Sequence, residues 1–203
     1  MKNKLETMLD MQDAMNSRVN ADWRQANSEW YRAIWTECAE MLEHYGWKWW
    51  KHQQPDLDQV RLELVDIFHF AMSDYLLREA DKQAVVDRII DELSNPGNES
   101  DIPCAIEAMA QSTIANQSMH FSTFANVLQL IDMDFDQLYR LYVGKNVLNF
   151  FRQDHGYKDG SYIKVWNGLE DNEHLTELLN DLDSDSIGFK DNVYKGLQSR
   201  YPS

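Results

Sequence analysis

Residues 30–46, WYRAIWTECAEMLEHYG, and 57–80, LDQVRLELVDIFHFAMSDYLLREA, read as two helices whose buried faces carry acid. Trp30, Ile34, Glu37 and Met41 share one stripe at helical spacing, and Val60, Glu63, Ile67 and Phe70 share another. Glu37-x-x-Glu40 and Glu63-x-x-Asp66 each put two carboxylates on one helical face. Both pairs interrupt apolar seams that should face the core. Four such carboxylates must protonate, find basic partners or bind a cation. No lysine stands at i±4 on these faces to neutralise them. An oxygen-only donor set suits a hard ion, Mg2+ or Mn2+, better than zinc. The same spacing also arises by chance on solvated helices in a chain with 34 acids. A di-iron bundle would want two Glu-x-x-His pairs, and the nearest approach is a single Asp66-x-x-His69.

Around these two segments the chain reads as all-α. Only 8 glycines and 4 prolines occur in 203 residues, too few to punctuate a set of strands and hairpins. The pattern predicts helices over about Leu5–Val19, Asp22–Tyr45 ending at Gly46, and Leu57–Ala80 capped by Asp56. Further helices follow over about Asp81–Leu93, from Pro103 to Met119, Phe121–Met133, and from Asp134 through Phe151. Residues 156–168 read as a loop and Asn172–Leu182 as a short acidic helix. NPGNESD at 95–101 is the clearest break. We expect one helical domain over 1–203, with a mobile subregion around 81–120 and a flexible polar tail from 184 to 203.

The balance of charge excludes several partners. The net charge of −15 should repel nucleic acid and anionic membranes. No run of about 18 apolar residues is present to span a bilayer. No basic-then-apolar leader opens the sequence, and two cysteines, Cys38 and Cys104, make no disulfide framework. The expectation is a cytoplasmic protein with reduced thiols.

One segment runs against this charge. Lys145, Arg152, Lys158 and Lys164 face only Asp154 and Asp159 between 145 and 164. Lys145, Asn149 and Arg152 fall at i, i+4 and i+7, so an ammonium, an amide and a guanidinium share one helical face. That set can clamp phosphates, and the glycine-containing loop after it can fold over a ligand. Ordinary salt bridges to the many acids would use the same residues.

Glu37-x-x-Glu40, Glu63-x-x-Asp66, HYGWKWWK at 44–51 and KNVLNFFRQDHGYKDGSYIKVWNGLEDN at 145–172 together resemble the dimeric dUTPase family of the all-α NTP pyrophosphatases. With Gln12 and Asn16 the resemblance spans nearly the whole chain. It implies an all-α homodimer that hydrolyses dUTP, and dUDP as well, to dUMP. It implies Mg2+ held by Glu37, Glu40, Glu63 and Asp66, with Glu40 activating the attacking water. Lys145, Asn149, Arg152, Tyr157 and Lys164 match phosphate-contacting positions, with Lys158 a further candidate. Gln12 and Asn16, at i and i+4, each offer a donor and an acceptor to the uracil edge. Phe70 and Trp50 are candidates to stack on the base, and His69 to touch the sugar; core packing is the commoner use of such residues. Two other readings stay open: a relative acting on another nucleotide such as dCTP, and a helical interaction protein without turnover.

Overall fold

The computed structural model describes residues 1–184, 186 and 188–202 of the chain. Its elements are α1 (Lys2–Val19), α2 (Trp30–Tyr45), α3 (Leu57–Arg78), α4 (Lys82–Ser94), α5 (Ile102–Asn116), α6 (Phe121–Leu130), α7 (Phe135–Asp154), β1 (Val165–Trp166), β2 (Leu169–Glu170), α8 (Asp171–Asp181) and α9 (Phe189–Arg200). The chain is all-α apart from one two-stranded ribbon among the described residues. It gathers into two compact units, Met1–Leu138 and Tyr139–Ser203, described separately below.

In the first unit α3 is the central element. Val60, Leu62, Val65, Ile67, Phe68 and Leu76 are buried, and with Glu63, His69 and Ser73 the buried residues surround most of the helix. A helix buried on most sides belongs inside a bundle: α2 and α1 both pack on α3, α5 packs on α2, and α6 packs on α4 and α5. Local chemistry sets the ends. Asp56 caps α3 by accepting from Gln59 N, and Asp101 caps α5 by accepting from Cys104 N. Gly46 ends α2 at φ +86°, where a Cβ would lie 2.8 Å from that of Gln53.

Helix α2 begins at Trp30 rather than Asp22. Residues 21–27 form turns instead. The Asn20 side chain accepts from Asp22 N, and Asn27 takes a left-handed φ of +50°. Short polar side chains that bond to their own backbone compete with helix in this way. Trp23 is nonetheless buried, its ring edge-on to Trp30.

The second unit packs α8 on α9, with Phe151 at the centre of an aromatic group. Trp166, Tyr194 and Tyr201 lie 5.3–5.8 Å from its ring and His155 stacks at 3.9 Å. The loop expected at 156–168 contains a hairpin: Asn167 (φ +51°) and Gly168 (φ +87°) form the turn, pairing Val165 with Glu170 and Trp166 with Leu169. Asn-Gly is the sequence such a tight turn requires. The region expected as a flexible tail carries α9, because Phe189, Val193 and Leu197 recur at i, i+4 and i+8 and are buried. Asp185, Ile187 and Ser203 of that tail lie outside the described residues. Gly144 on α7 faces Leu179 on α8, with room for a Cβ only 2.6 Å from the leucine methyl.

No helix among the described residues is long and apolar enough to cross a membrane. Cys38 is buried, Cys104 is exposed, and both are free thiols.

Candidate active site

Three of the four acids meet. Carboxylate oxygens of Glu37, Glu63 and Asp66 lie within 4.8 Å of one another. Ile34 and Met41 on α2, and Val60 and Ile67 on α3, are wholly buried around them, so the two seams hold the acids together. Glu63 is nearly buried and Glu37 half-buried. Burial, then hydrogen bonding to Glu63, then the charges of Asp66, Glu63 and Glu40 push the Glu37 carboxyl up to about 9. His44 Nε2 stands 3.4 Å from Glu63. His44 lies seven residues after Glu37 on the same face, and sequence reasoning missed it. Glu40 is exposed and outside the 4.8 Å group, near enough only for its charge to reach Glu37.

A metal ion fits this donor set. Three carboxylate oxygens converge, the donor type a hard ion takes, and burial together with the charges of Asp66, Glu63 and Glu40 keeps the proton on Glu37. The adjacent thiol of Cys38 is no rival nucleophile: burial, and then Glu37, push it up to about 12.

Beside the acids lies a polar network around Ser73, a residue the sequence reading did not single out. Gln12 Nε2 donates to Asn16 Oδ1 at 3.0 Å and to Ser73 Oγ at 2.9 Å. Asn16 Nδ2 donates to the same hydroxyl at 2.9 Å. His69 Nδ1 meets Gln12 Oε1 at 2.6 Å, and Ser73 Oγ donates to the His69 carbonyl oxygen at 3.0 Å. All four side chains are buried. Phe70 stacks on Trp30 at 6.2 Å and 30°. Trp50 is 57% exposed and meets only Trp47 and Trp49 among aromatic rings in the described residues.

The basic residues form a separate group within the second unit. Arg152 grips the fully buried Asp171 through Nε at 2.8 Å and Nη2 at 2.9 Å, and donates from Nη1 to Asn149 at 3.1 Å. Tyr162 donates to Asp171 at 2.9 Å, and Lys145, itself buried, donates to Asn172 at 3.1 Å. Burial alone would raise the Asp171 carboxyl. The Arg152 hydrogen bonds and charge, then Tyr162 and Lys145, hold it below the usual range. The Arg152 guanidinium carbon lies 5.8 Å from the Tyr157 ring centroid. Lys164 pairs with Glu170 at the surface, and Lys158 is exposed. Asp171, Tyr162 and Asn172 were missed because their partners lie 9 to 27 residues away in sequence.

These features define an all-α protein with an oxygen-only acidic centre and, in its other unit, an ordered cationic cluster. A family model described as dUTPase matches residues 4–157, and the chain belongs to this family, the dimeric all-α dUTPases. It is therefore an enzyme of nucleotide metabolism, a hydrolase of the dUTP diphosphatase type, and its family depends on divalent metal. The match includes Gln12, Asn16, the acidic motifs, Lys145, Asn149, Arg152 and Tyr157; Lys158 and Lys164 lie beyond it. No curated protein matches the chain.

Proposed function

We propose that this chain hydrolyses dUTP to dUMP and pyrophosphate, and dUDP to dUMP and phosphate, with Mg2+, or Mn2+ in its place. The observation that carries the reading is the convergence of Glu37, Glu63 and Asp66 on buried apolar seams. Carboxylates packed this closely repel one another, and a bound cation relieves that repulsion. Glu37, Glu63 and Asp66, with Glu40 from the next turn, are the residues that would hold the ion. When bound, such an ion neutralises phosphate charge and makes water a better nucleophile.

The remaining roles belong to protein groups. Glu40 is exposed and open to solvent, so it can take the proton of the attacking water. Lys145, Asn149, Arg152, Tyr157, Lys158 and Lys164 bind phosphate oxygens and offset charge as the leaving group departs. Asn16, oriented by Gln12, reads the uracil edge; His69 contacts the sugar, and Phe70 and Trp50 flank the base. The chain acts as a homodimer in the cytoplasm, and its net charge of −15 keeps it off nucleic acid.

Pyrophosphate release from dUTP, dCTP and dTTP in Mg2+ tests the reading. We expect turnover of dUTP far above the other two, and none in chelator. Equal rates on all three would refute uracil selectivity, and absence of metal-dependent turnover would favour a non-catalytic helical protein. Glu40→Gln should stay folded and lose nearly all activity.

A further inference from the structure

The Ser73 hydroxyl is saturated. It has one proton, given to the His69 carbonyl oxygen, and two lone pairs, filled by Gln12 Nε2 and Asn16 Nδ2. Each other member of this network is reversible in polarity. An amide can turn over, exchanging oxygen for nitrogen, and an imidazole can move its proton between nitrogens. The backbone carbonyl of His69 cannot. Its oxygen is always an acceptor, so it commits the Ser73 proton and leaves only acceptor character facing the amides. Both NH2 groups must therefore point at Ser73. Gln12 Nε2 then spends its second proton on Asn16 Oδ1, and Gln12 Oε1 must accept from His69, which fixes the proton on Nδ1.

The consequence falls on Asn16. These bonds use one of its two N–H groups and one lone pair of Oδ1, leaving one donor and one acceptor on the same planar amide. That pair is complementary to the O4 and N3–H of uracil. With oxygen and nitrogen exchanged, the same amide would match the N4 amine and bare N3 of cytosine. Amide polarity at this position therefore decides between the two bases. In the present arrangement an inverted Asn16 would set oxygen against the acceptor side of Ser73 and NH2 against the NH2 of Gln12.

We propose that Ser73 is a positioning residue that transmits the fixed polarity of the His69 carbonyl to Gln12 and Asn16, and so makes the site select uracil over cytosine. The inference rests on the reading of Asn16 as the base-contacting amide.

Ser73→Ala tests it. The selectivity of wild type for dUTP over dCTP, as the ratio of kcat/KM values, should fall by about tenfold or more, since a site with a defined hydrogen-bond polarity discriminates more strongly than one that can invert. Ser73→Cys, nearly isosteric and a weak hydrogen bonder, should fall the same way if the alanine variant does not fold. Ser73→Thr keeps the hydroxyl and should restore the ratio. A second readout needs no substrate: nitrogen-15 NMR should show His69 as the Nδ1–H tautomer in wild type and as a mixture in the alanine or cysteine variant. Loss of thermal stability with the selectivity ratio and tautomer unchanged would overturn the proposal. A wild type that does not distinguish dUTP from dCTP would overturn the uracil reading and the selectivity role with it, while the tautomer still reports whether Ser73 sets the polarity.

Discussion

Asp171 is fully buried and holds a bidentate guanidinium, a tyrosine hydroxyl and the nearby charge of Lys145. Glu63 is buried almost as deeply, but its oxygens converge with those of two further carboxylates, and a histidine stands at 3.4 Å. Burial pushes both kinds of acid toward neutrality. In the second unit the cation wins and Asp171 stays charged; in the first the neighbouring carboxylates add to the effect of burial, and Glu37 keeps its proton to about 9. A buried acid held by a bidentate guanidinium is part of the scaffold, whereas a cluster of acids that raise one another's proton affinity is suited to receive a cation.

The comparison is broken or sharpened most directly by activity. Glu63→Gln should lower kcat/KM on dUTP by more than about 100-fold, since even an outer partner of a metal ligand is worth 10–100-fold. Circular dichroism should show the fold intact. A variant that turned over like wild type would remove the acidic centre from the reaction.

Stability gives the next largest effect, in opposite directions for the two regions. Arg152→Ala strands a buried charge on Asp171 and should cost roughly 3–5 kcal/mol in urea unfolding. Glu37→Gln should stabilise the metal-free protein at pH 8, by on the order of 1 kcal/mol, because water reaches the half-buried carboxyl and screens its neighbours. Equal destabilisation by both would show that the two acids are held alike.

The sign of the pH dependence follows from the same contrast. Glu37 binds its proton more tightly folded, about 9, than unfolded, about 4.3. The folded chain therefore carries the extra proton between those values, and metal-free stability falls as pH rises through the window. Glu37→Gln should flatten that slope in thermal melts. Asp171 is shifted the other way: its contribution is present above the unfolded value of about 3.9 and is lost as pH falls through its lower folded value. The smallest effect belongs to the exposed Lys164–Glu170 pair, where Glu170→Gln should change stability by less than about 0.5 kcal/mol.

Much of this was legible in the sequence wherever local pattern and burial agree. Gly46, Asp56 and Pro103 mark helix ends because capping is a matter of neighbouring residues. The acid trio could be found because Glu37 and Glu63 stand in apolar stripes whose partners are wholly buried. The start of α2 was not legible, since the turns at 21–27 hold a buried Trp23 without glycine or proline. Nor was α9, whose apolar stripe is only three residues wide in a polar stretch. Ser73 looks like any small residue in an apolar helix; its role exists only once α1 lies against α3 and brings two amides to one hydroxyl.

Gly144 restricts how this sequence can vary. With a leucine methyl 2.6 Å from where its Cβ would be, even alanine acts as a wedge between α7 and α8. Those two helices carry Arg152 and Lys145 on one side and Asp171 and Asn172 on the other. One methyl group, placed two to three helical turns from the guanidinium, would thus loosen the ionic latch without touching any of its members. A lineage that exchanged this glycine would have to turn Leu179 aside or trim it.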